Sequence, residues 1–161
     1  FVSELKRQGK VRRMGFSFHD SAEVLDKILT EHPEVDFVQI QLNYLDWESD
    51  TIQSAKCHEV CLKHGKPIIV MEPVKGGTLA KLPERVSLML SEAHPDWSAA
   101  SWAIRFAASC ENVFMVLSGM SDMEQLLENR LTAAQQRLAH RPQGFTSREL
   151  AVLLAAILSE P

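Results

Sequence analysis

The chain has 161 residues, of which 45% are hydrophobic and 24% are charged, and its formal net charge is −4 at pH 7. This composition is typical of one globular domain with a real core, and without a Lys/Arg-rich block it argues against a nucleic-acid partner. No apolar run approaches the roughly 18–20 residues of a membrane span. The 3 cysteines show no disulfide pattern, which predicts a cytoplasmic location.

The N-terminal third of the sequence predicts two helices around one strand. The first residues read as the end of a helix that Gly9 closes. A strand is predicted at about residues 13–18. Asp20 and Glu23 are spaced to frame the start of the next helix, and His32-Pro33 ends it.

The remaining elements continue this alternation of strands and helices. Strands are predicted at about residues 35–42, 67–71 and 112–117, and helices at about residues 51–64, 83–91, 98–109, 122–137 and 146–159. The last helix starts at a second capping-box spacing, Thr146 with Glu149. The prediction is therefore a single α/β domain over residues 1–161.

Four apolar strands separated by helices predict a parallel sheet with right-handed crossovers. Two architectures fit this order: a doubly wound open sheet, or part of a (β/α)₈ barrel. A full barrel needs about 250 residues, so four strand–helix units amount to about half of one.

The junction after the fourth strand is the most informative stretch of the chain. Residues 116–129 read V-L-S-G-M-S-D-M-E-Q-L-L-E-N, an apolar strand that passes through a glycine turn into a helix. Ser121 and Glu124 have capping-box spacing. Free N–H groups and the helix dipole make such a start favourable for phosphate. A purely structural turn is the commoner explanation for this stretch taken alone.

Polar residues converge at the carboxyl ends of the predicted strands, where ligands meet parallel α/β folds. His19 fits a general acid or, more commonly, a helix cap or surface residue. Gln39 is polar in an apolar strand and needs a partner, either a ligand carboxamide or a neighbouring loop. Glu72 fits a base or an ion pair with Lys75.

A helical Cys57–Cys61 pair with His58 between them raises the question of a metal site. The spacing of four residues places both thiols on one helix face. They lie on the middle turns, where core packing is the commoner outcome, so no metal site is predicted.

Five motifs in one order resemble the aldo-keto reductases, and more closely their bacterial branch with a C-terminal ferredoxin-like iron–sulfur segment. They cover almost the whole chain: G-F-S-F-H-D-S (15–21), F-V-Q-I-Q-L-N-Y-L-D-W (37–47), K-P-I-I-V-M-E-P-V-K-G-G-T-L-A (66–80), S-W-A-I-R-F-A (101–107) and V-L-S-G-M-S-D-M-E-Q-L-L-E-N (116–129). The resemblance implies the C-terminal half of a (β/α)₈ TIM barrel that binds NADP or NAD and reduces a small carbonyl substrate.

The resemblance also implies positions for the nicotinamide end of the cofactor. Ser17 and Gln39 stand where the family holds the carboxamide. Phe18 replaces the usual Asn beside the serine, and His19, which follows it, is the remaining cofactor-binding candidate there. Met71 stands where an aromatic ring usually stacks on the nicotinamide.

The rest of the implied cofactor site lies in two segments. The loop that crosses the pyrophosphate matches Glu72, Pro73, Val74, Lys75 and Gly76. The adenosine end matches Gly119, Met120, Ser121, Gln125, Glu128 and Asn129. Some members have an Arg at the position of Gln125 for the 2′-phosphate.

The family's catalytic Tyr, Lys, Asp and His lie on the first four barrel strands, and the resemblance implies that this chain begins just before the fifth. No catalytic residue is therefore predicted, and the chain alone is expected to be inactive. The clustered cysteines of a 4Fe-4S segment are also not matched. The alternatives are a non-catalytic half barrel that binds nucleotide or self-associates through open sheet edges, and half of another TIM-barrel enzyme with a phosphate site.

Overall fold

The computed structural model describes residues 1–138, which form alternating helices and strands. In chain order the elements are α1 (Val2–Arg7), β1 (Gly15–Phe18), α2 (Ala22–Glu31), β2 (Phe37–Gln41), α3 (Ser54–Lys63), β3 (Ile68–Met71), a 3₁₀ segment (Lys75–Ala80), α4 (Glu84–Ala93), α5 (Ala99–Ser109), β4 (Val113–Val116) and α6 (Met123–Leu138). All four predicted strands are confirmed, each slightly shorter than predicted.

The strands form one parallel sheet in the sequential order β1-β2-β3-β4. A doubly wound sheet reverses its strand order at a switch point, whereas a barrel adds each strand beside the preceding one. The observed order therefore selects the barrel architecture over the open sheet. The predicted fold class, four parallel strands of half a (β/α)₈ barrel with flanking helices, is confirmed.

The outer face of the sheet packs against the helices and forms the core. Strand register aligns Phe18, Ile40, Val70 and Val116 in one row across that face. The helices contribute a complementary set of buried side chains, among them Leu25, Leu29, Cys61, Trp102 and Phe106. Alternate strand residues are therefore fixed by the core, which forces the intervening residues to the other face.

The inner face of the sheet carries Ser17, Gln39, Ile69 and Met115 side by side in the register. Ser17 and Met115 are exposed, while Gln39 and Ile69 are half-buried. In a closed barrel this face lines the lumen. Its polar residues on β1 and β2 are thus positioned by the packing of their neighbours on the opposite face.

Helix starts differ from the predicted caps by one to three residues. Ser21, not Asp20, caps α2, because its side chain accepts a hydrogen bond from the Val24 N–H. The helix predicted from residue 51 begins at Ser54, after a left-handed Gln53. The helix predicted from residue 98 begins at Ala99, and Ser98 is its cap, because its side chain accepts a hydrogen bond from the Ser101 N–H.

The helix predicted at residues 146–159 lies outside the described residues, so the extent of the domain to residue 161 stays a prediction. Within residues 1–138, the helices are too short or too polar to cross a membrane.

Candidate functional site

A cleft of about 820 Å³ lies where β3, β4 and α6 meet. Its walls are the end of β3, the loop that follows it, the turn after β4 and the first turns of α6. The residues predicted from sequence that line this cleft are Met71, Glu72, Pro73, Val74, Gly76, Gly119, Met120, Ser121, Gln125, Glu128 and Asn129. Both segments predicted to hold the phosphates and the adenosine are therefore brought to one cavity.

The loop after β3 has an unusual backbone. Glu72, Lys75, Gly76 and Gly77 all have positive φ, at 56°, 49°, 59° and 93°. The bend is closed by bonds from the Lys75 N–H to the Glu72 carbonyl and from the Gly77 N–H to the Val74 carbonyl, both 3.1 Å. The sequence did not predict this tight double bend, although the Gly76-Gly77 pair indicates a turn.

The two glycines leave the loop surface bare on the cleft side. A Cβ at Gly77 would meet no atom within 4 Å, and one at Gly76 would meet only the Glu72 carboxylate at 3.9 Å. Gly119, on the opposite wall, is equally open. A ligand can therefore approach the backbone closely from both sides, which is a geometry suited to phosphate oxygens and N–H donors.

The start of α6 is capped differently from the sequence prediction. The carboxylate of Asp122, rather than the Ser121 hydroxyl, accepts the Gln125 N–H at 2.9 Å. The Gln125 side-chain oxygen in turn accepts from the Ser121 N–H at 2.8 Å and from its hydroxyl at 3.3 Å. The predicted Ser121–Glu124 capping box is thus wrong by one residue, since Asp122 and Gln125 make the corresponding bonds. The side-chain nitrogen of Gln125 takes part in neither of the two bonds to Ser121.

Glu128 and Asn129 tie α6 to the neighbouring elements at the far end of the cleft. The Glu128 carboxylate accepts from the Ser98 hydroxyl at the start of α5. The Asn129 amide donates to the Ser118 hydroxyl at 3.2 Å, linking the helix to the end of β4. These bonds fix both side chains on the cleft wall before any ligand enters.

The charges on the cleft wall are negative. Glu72 and Glu128 line it, and no Lys or Arg does so among the described residues. Phosphate groups in this cleft would therefore rely on backbone N–H groups and neutral side chains rather than on cations. A 2′-phosphate, which usually requires an Arg, has no such partner on this wall.

The predicted carboxamide-binding residues lie on the inner sheet face beside the cleft, not in its wall. Ser17 and Gln39 are direct register partners on β1 and β2. The Gln39 amide nitrogen lies 3.4 Å from the sulfur of Met71, which lines the cleft. Met71 therefore connects the polar inner face to the cavity.

Lys75 does not line the cleft, although it was predicted to bind cofactor. Its ammonium group lies 2.5 Å from the carboxylate of Asp46, in the loop after β2. Burial alone would raise the pKa of Asp46, but hydrogen bonds from Lys75, Asn43 and Gln41 outweigh it and hold this pKa below its usual value. Asp46 was missed as a site residue, and Asn43, a polar residue at the end of the second predicted strand, was not assigned a role; the sequence signal was their polar character in the segment after a buried strand.

The sequence model described as the Aldo/keto reductase family matches residues 1–138. The chain belongs to the aldo-keto reductase family. No curated protein matches the chain.

Solved aldo-keto reductases share the fold. The holo form of aldo-keto reductase AKR11C1 from Bacillus halodurans superimposes with a TM-score of 0.70 at 19% identity, covering 96% of this chain and 53% of that one. The apo form gives a TM-score of 0.66 at 19% identity, with 96% and 54% covered. The thermostable aldo-keto reductase Tm1743, in complex with the inhibitor epalrestat, gives 0.70 at 19%, with 96% and 52% covered. The chain thus spans about half the length of these enzymes.

His19 is not brought to the cleft of this family member. It lies at the end of β1 and lines a separate cavity of about 70 Å³ with Asp20, Gln41 and Cys57. This cavity lies on the side of the sheet that faces α3. Its position gives His19 no contact with the cleft wall.

The cysteine-rich face of α3 belongs to the core. Cys57 and Cys61 are buried, and burial raises their thiol pKa values to about 11 and about 12. His58 bonds instead to the Glu111 carbonyl at 2.9 Å. Across residues 1–138 no three His, Cys, Asp or Glu side chains are grouped as metal ligands.

Proposed function

We propose that this chain is the cofactor-binding half of an NAD(P)H-dependent aldo-keto reductase that reduces a small carbonyl substrate. One observation carries the proposal: the loop after β3 and the start of α6, predicted separately to hold pyrophosphate and adenosine, face each other across one cleft. The inner sheet face adjoins that cleft through Met71. An extended dinucleotide is the ligand class that this linear arrangement suits.

The residues of the cleft suggest a division of labour along the ligand. Gly76 and Gly77 provide open backbone for the pyrophosphate, and Gly119 provides open backbone at the adenosine end. Ser17 and Gln39 provide a hydroxyl and an amide, which match the acceptor and donor groups of a carboxamide. When bound, the nicotinamide supplies a hydride to the carbonyl carbon of the substrate.

We further propose that the chain alone does not turn over substrate. The family's proton donor is a tyrosine, and this chain has 1 tyrosine, Tyr44. Its ring is buried against Phe106, and burial raises the pKa of its phenol. Tyr44 therefore does not face the cleft as an acid, and the catalytic residues are assigned to the other half of the barrel.

We also propose a branch within the family, from the sequence motifs, and a cellular location, from the cysteines. The five motifs support membership of the bacterial branch with a C-terminal 4Fe-4S segment. The absence of a disulfide pattern among Cys57, Cys61 and Cys110, which are free thiols, supports a location in a reducing compartment such as the cytoplasm.

The proposal is tested by titrating the 161-residue chain with NADPH, NADH and ADP-ribose and following nucleotide fluorescence or heat. Ser17→Ala combined with Gln39→Leu should weaken NADPH and NADH several-fold but leave ADP-ribose unchanged, because ADP-ribose has no nicotinamide. The same two changes at Ser3, on α1, and at Gln8, directly after α1, provide the matched control. No binding of any dinucleotide by the unaltered chain would overturn the proposal, as would binding of a simple sugar phosphate in preference to NADPH.

A second candidate function is a non-catalytic module that assembles with another copy of itself. Two observations favour it within the described residues. The strands β1 and β4 each pair on one side only, and Phe114 and Met115 on β4 are 50% and 46% exposed. Unpaired strand edges and exposed apolar side chains both promote association.

A further inference from the structure

Asp46 forms a buried polar cluster beside the cleft that the proposed function has not used. Asp46 is 4% exposed, and its carboxylate accepts three hydrogen bonds. The donors are the Gln41 amide at 2.7 Å, the Asn43 amide at 2.8 Å and the Lys75 ammonium at 2.5 Å. A buried carboxylate with three donors is held in one orientation, because turning it would leave a buried charge unpaired.

The partner of this carboxylate belongs to the strained loop that lines the cleft. Lys75 has a φ of 49°, a conformation that costs a non-glycine residue conformational energy. Glu72, three residues earlier, has a φ of 56°. Such a backbone persists only where surrounding contacts fix it, and the Asp46–Lys75 ion pair is one such contact.

A second bond joins the same two loops. The Asn43 amide donates 3.1 Å to the carbonyl of Glu72, while its side-chain oxygen accepts the Asp46 N–H at 2.9 Å. Asn43 and Asp46 therefore bind the loop after β3 at two positions, the Glu72 carbonyl and the Lys75 ammonium group. Because Gly76 and Gly77 directly follow Lys75, these two contacts help to set the position of their backbone in the cleft wall.

We propose that Asp46 is a positioning residue that holds the loop after β3 in the conformation that binds the cofactor pyrophosphate, acting through Lys75. The inference rests on the proposed function. It holds that the Lys75 ammonium group pairs with Asp46 and does not bind a phosphate. The inference predicts that loss of the Asp46 carboxylate weakens cofactor binding, whereas the loss of a negative charge alone would strengthen it. Removing a carboxylate near an anion site should tighten anion binding by Coulomb's law, whereas loss of positioning weakens it.

The experiment compares Asp46→Asn with the unaltered 161-residue chain. We expect binding of both NADPH and ADP-ribose to weaken about 5- to 20-fold, because both contain the pyrophosphate, a loss equivalent to roughly 1–2 kcal/mol. Hydrogen exchange at the amides of Lys75, Gly77 and Leu79, which close the loop, should accelerate about tenfold. Asp26→Asn is the matched control, since Asp26 pairs with Lys63 and His64 between α2 and α3.

A second pair of variants separates positioning from direct phosphate binding. Lys75→Met should weaken cofactor binding as Asp46→Asn does, and Lys75→Arg, which keeps a cation for Asp46, should recover most of it. If Lys75→Met weakens binding while Asp46→Asn leaves it unchanged or tighter, Lys75 is a phosphate ligand and the inference is wrong. If Asp46→Asn does not fold, hydrogen exchange at the amides of Lys75, Gly77 and Leu79 in Lys75→Met decides the question, and unchanged exchange there overturns the inference.

The exchange measurement keeps this inference distinct from the proposed function. If the unaltered chain binds no dinucleotide, the proposed function fails, and faster loop exchange in Asp46→Asn still supports the anchoring. Unchanged exchange at these three amides in Asp46→Asn overturns the inference whether or not the cofactor binds.

Discussion

The amide nitrogen of Gln39 lies 3.4 Å from the sulfur of Met71, so a residue of the inner sheet face contacts a residue of the cleft wall. Gln39 is thus oriented toward the end of β3 by a weak sulfur acceptor. Met71 offers a flexible, polarisable surface where the resemblance implies that relatives place an aromatic ring. The contact marks the predicted nicotinamide end of the site.

Met71→Tyr should strengthen nicotinamide binding, because an aromatic ring stacks on the pyridine where the thioether does not. We expect a gain of about 0.5–1.5 kcal/mol, or roughly two- to tenfold in Kd for NADH and NADPH. Fluorescence titration measures the gain. ADP-ribose is the internal control, and an equal change in its Kd would show that the substitution altered the cleft rather than the stacking.

Gln125→Arg should shift cofactor preference toward NADPH. The cleft wall has no cation among its described residues, so the unaltered chain should bind NADH at least as well as NADPH. An Arg here adds a charge-assisted bond of about 1 kcal/mol at an exposed site, roughly fivefold in the ratio of the two Kd values. Gln125→Met controls for the lost bonds to Ser121, and it should weaken both nucleotides equally. A ratio that stays constant in Gln125→Arg would place the 2′-phosphate elsewhere.

Gly77→Ala and Gly119→Ala should separate backbone strain from ligand access. Gly77 has a φ of 93°, so an alanine there should destabilise the fold by about 1–2 kcal/mol. Gly119 has no positive φ and open space at its Cβ, so its alanine variant should unfold at the same denaturant concentration as the unaltered chain. Both should weaken ADP-ribose binding if phosphate approaches the backbone. Undiminished binding in both variants would contradict that approach.

Acid should remove the stabilisation that Asp46 contributes. Its folded-state pKa is held below the usual value, so the carboxylate stabilises the fold fully above the ordinary Asp pKa of about 4. That stabilisation is lost as the pH falls from about 4 through the lower folded value. Urea unfolding from pH 7 to pH 3 should show a shallower acid dependence in Asp46→Asn, by up to about 1.4 kcal/mol per pH unit. Parallel curves for the two proteins would refute this assignment.

Association should depend on the exposed apolar side chains of β4. Changing Phe114 to Ser and Met115 to Gln should lower the light-scattering mass at high concentration without a large loss of stability, because both side chains are half exposed. Leu88→Gln, a change at a 56% exposed residue on α4, is the control. A monomeric unaltered chain at high concentration would count against self-assembly.

Much of the fold follows from local sequence pattern. The four strands were predictable because each is a short apolar run between helices whose core faces repeat every three or four residues. The caps were less predictable. Ser21 and Asp122 each stand beside another residue that is able to cap, so capping propensity alone does not decide between the two neighbours.

Parts of the candidate site were likewise predictable from local sequence, and other parts depend on distant contacts. Gly119 and the residues of α6 were predictable because a strand, a glycine turn and a helix start follow each other directly in sequence. The orientation of Lys75 was not, since Asp46, which holds it, is 29 residues away. The position of His19, in a cavity beside Thr51 and Cys57, likewise depends on how the chain turns after β1 ends at Phe18.

The two contacts that Asn43 and Asp46 make with the loop after β3 have a consequence for engineering this fold. A loop whose shape is imposed from a neighbouring loop is not a self-contained cassette. Transplanting residues 72–77 into another barrel should give a misshapen cleft unless residues 43–46 are transplanted with them. The unit of exchange between relatives is therefore a pair of loops from adjacent strands.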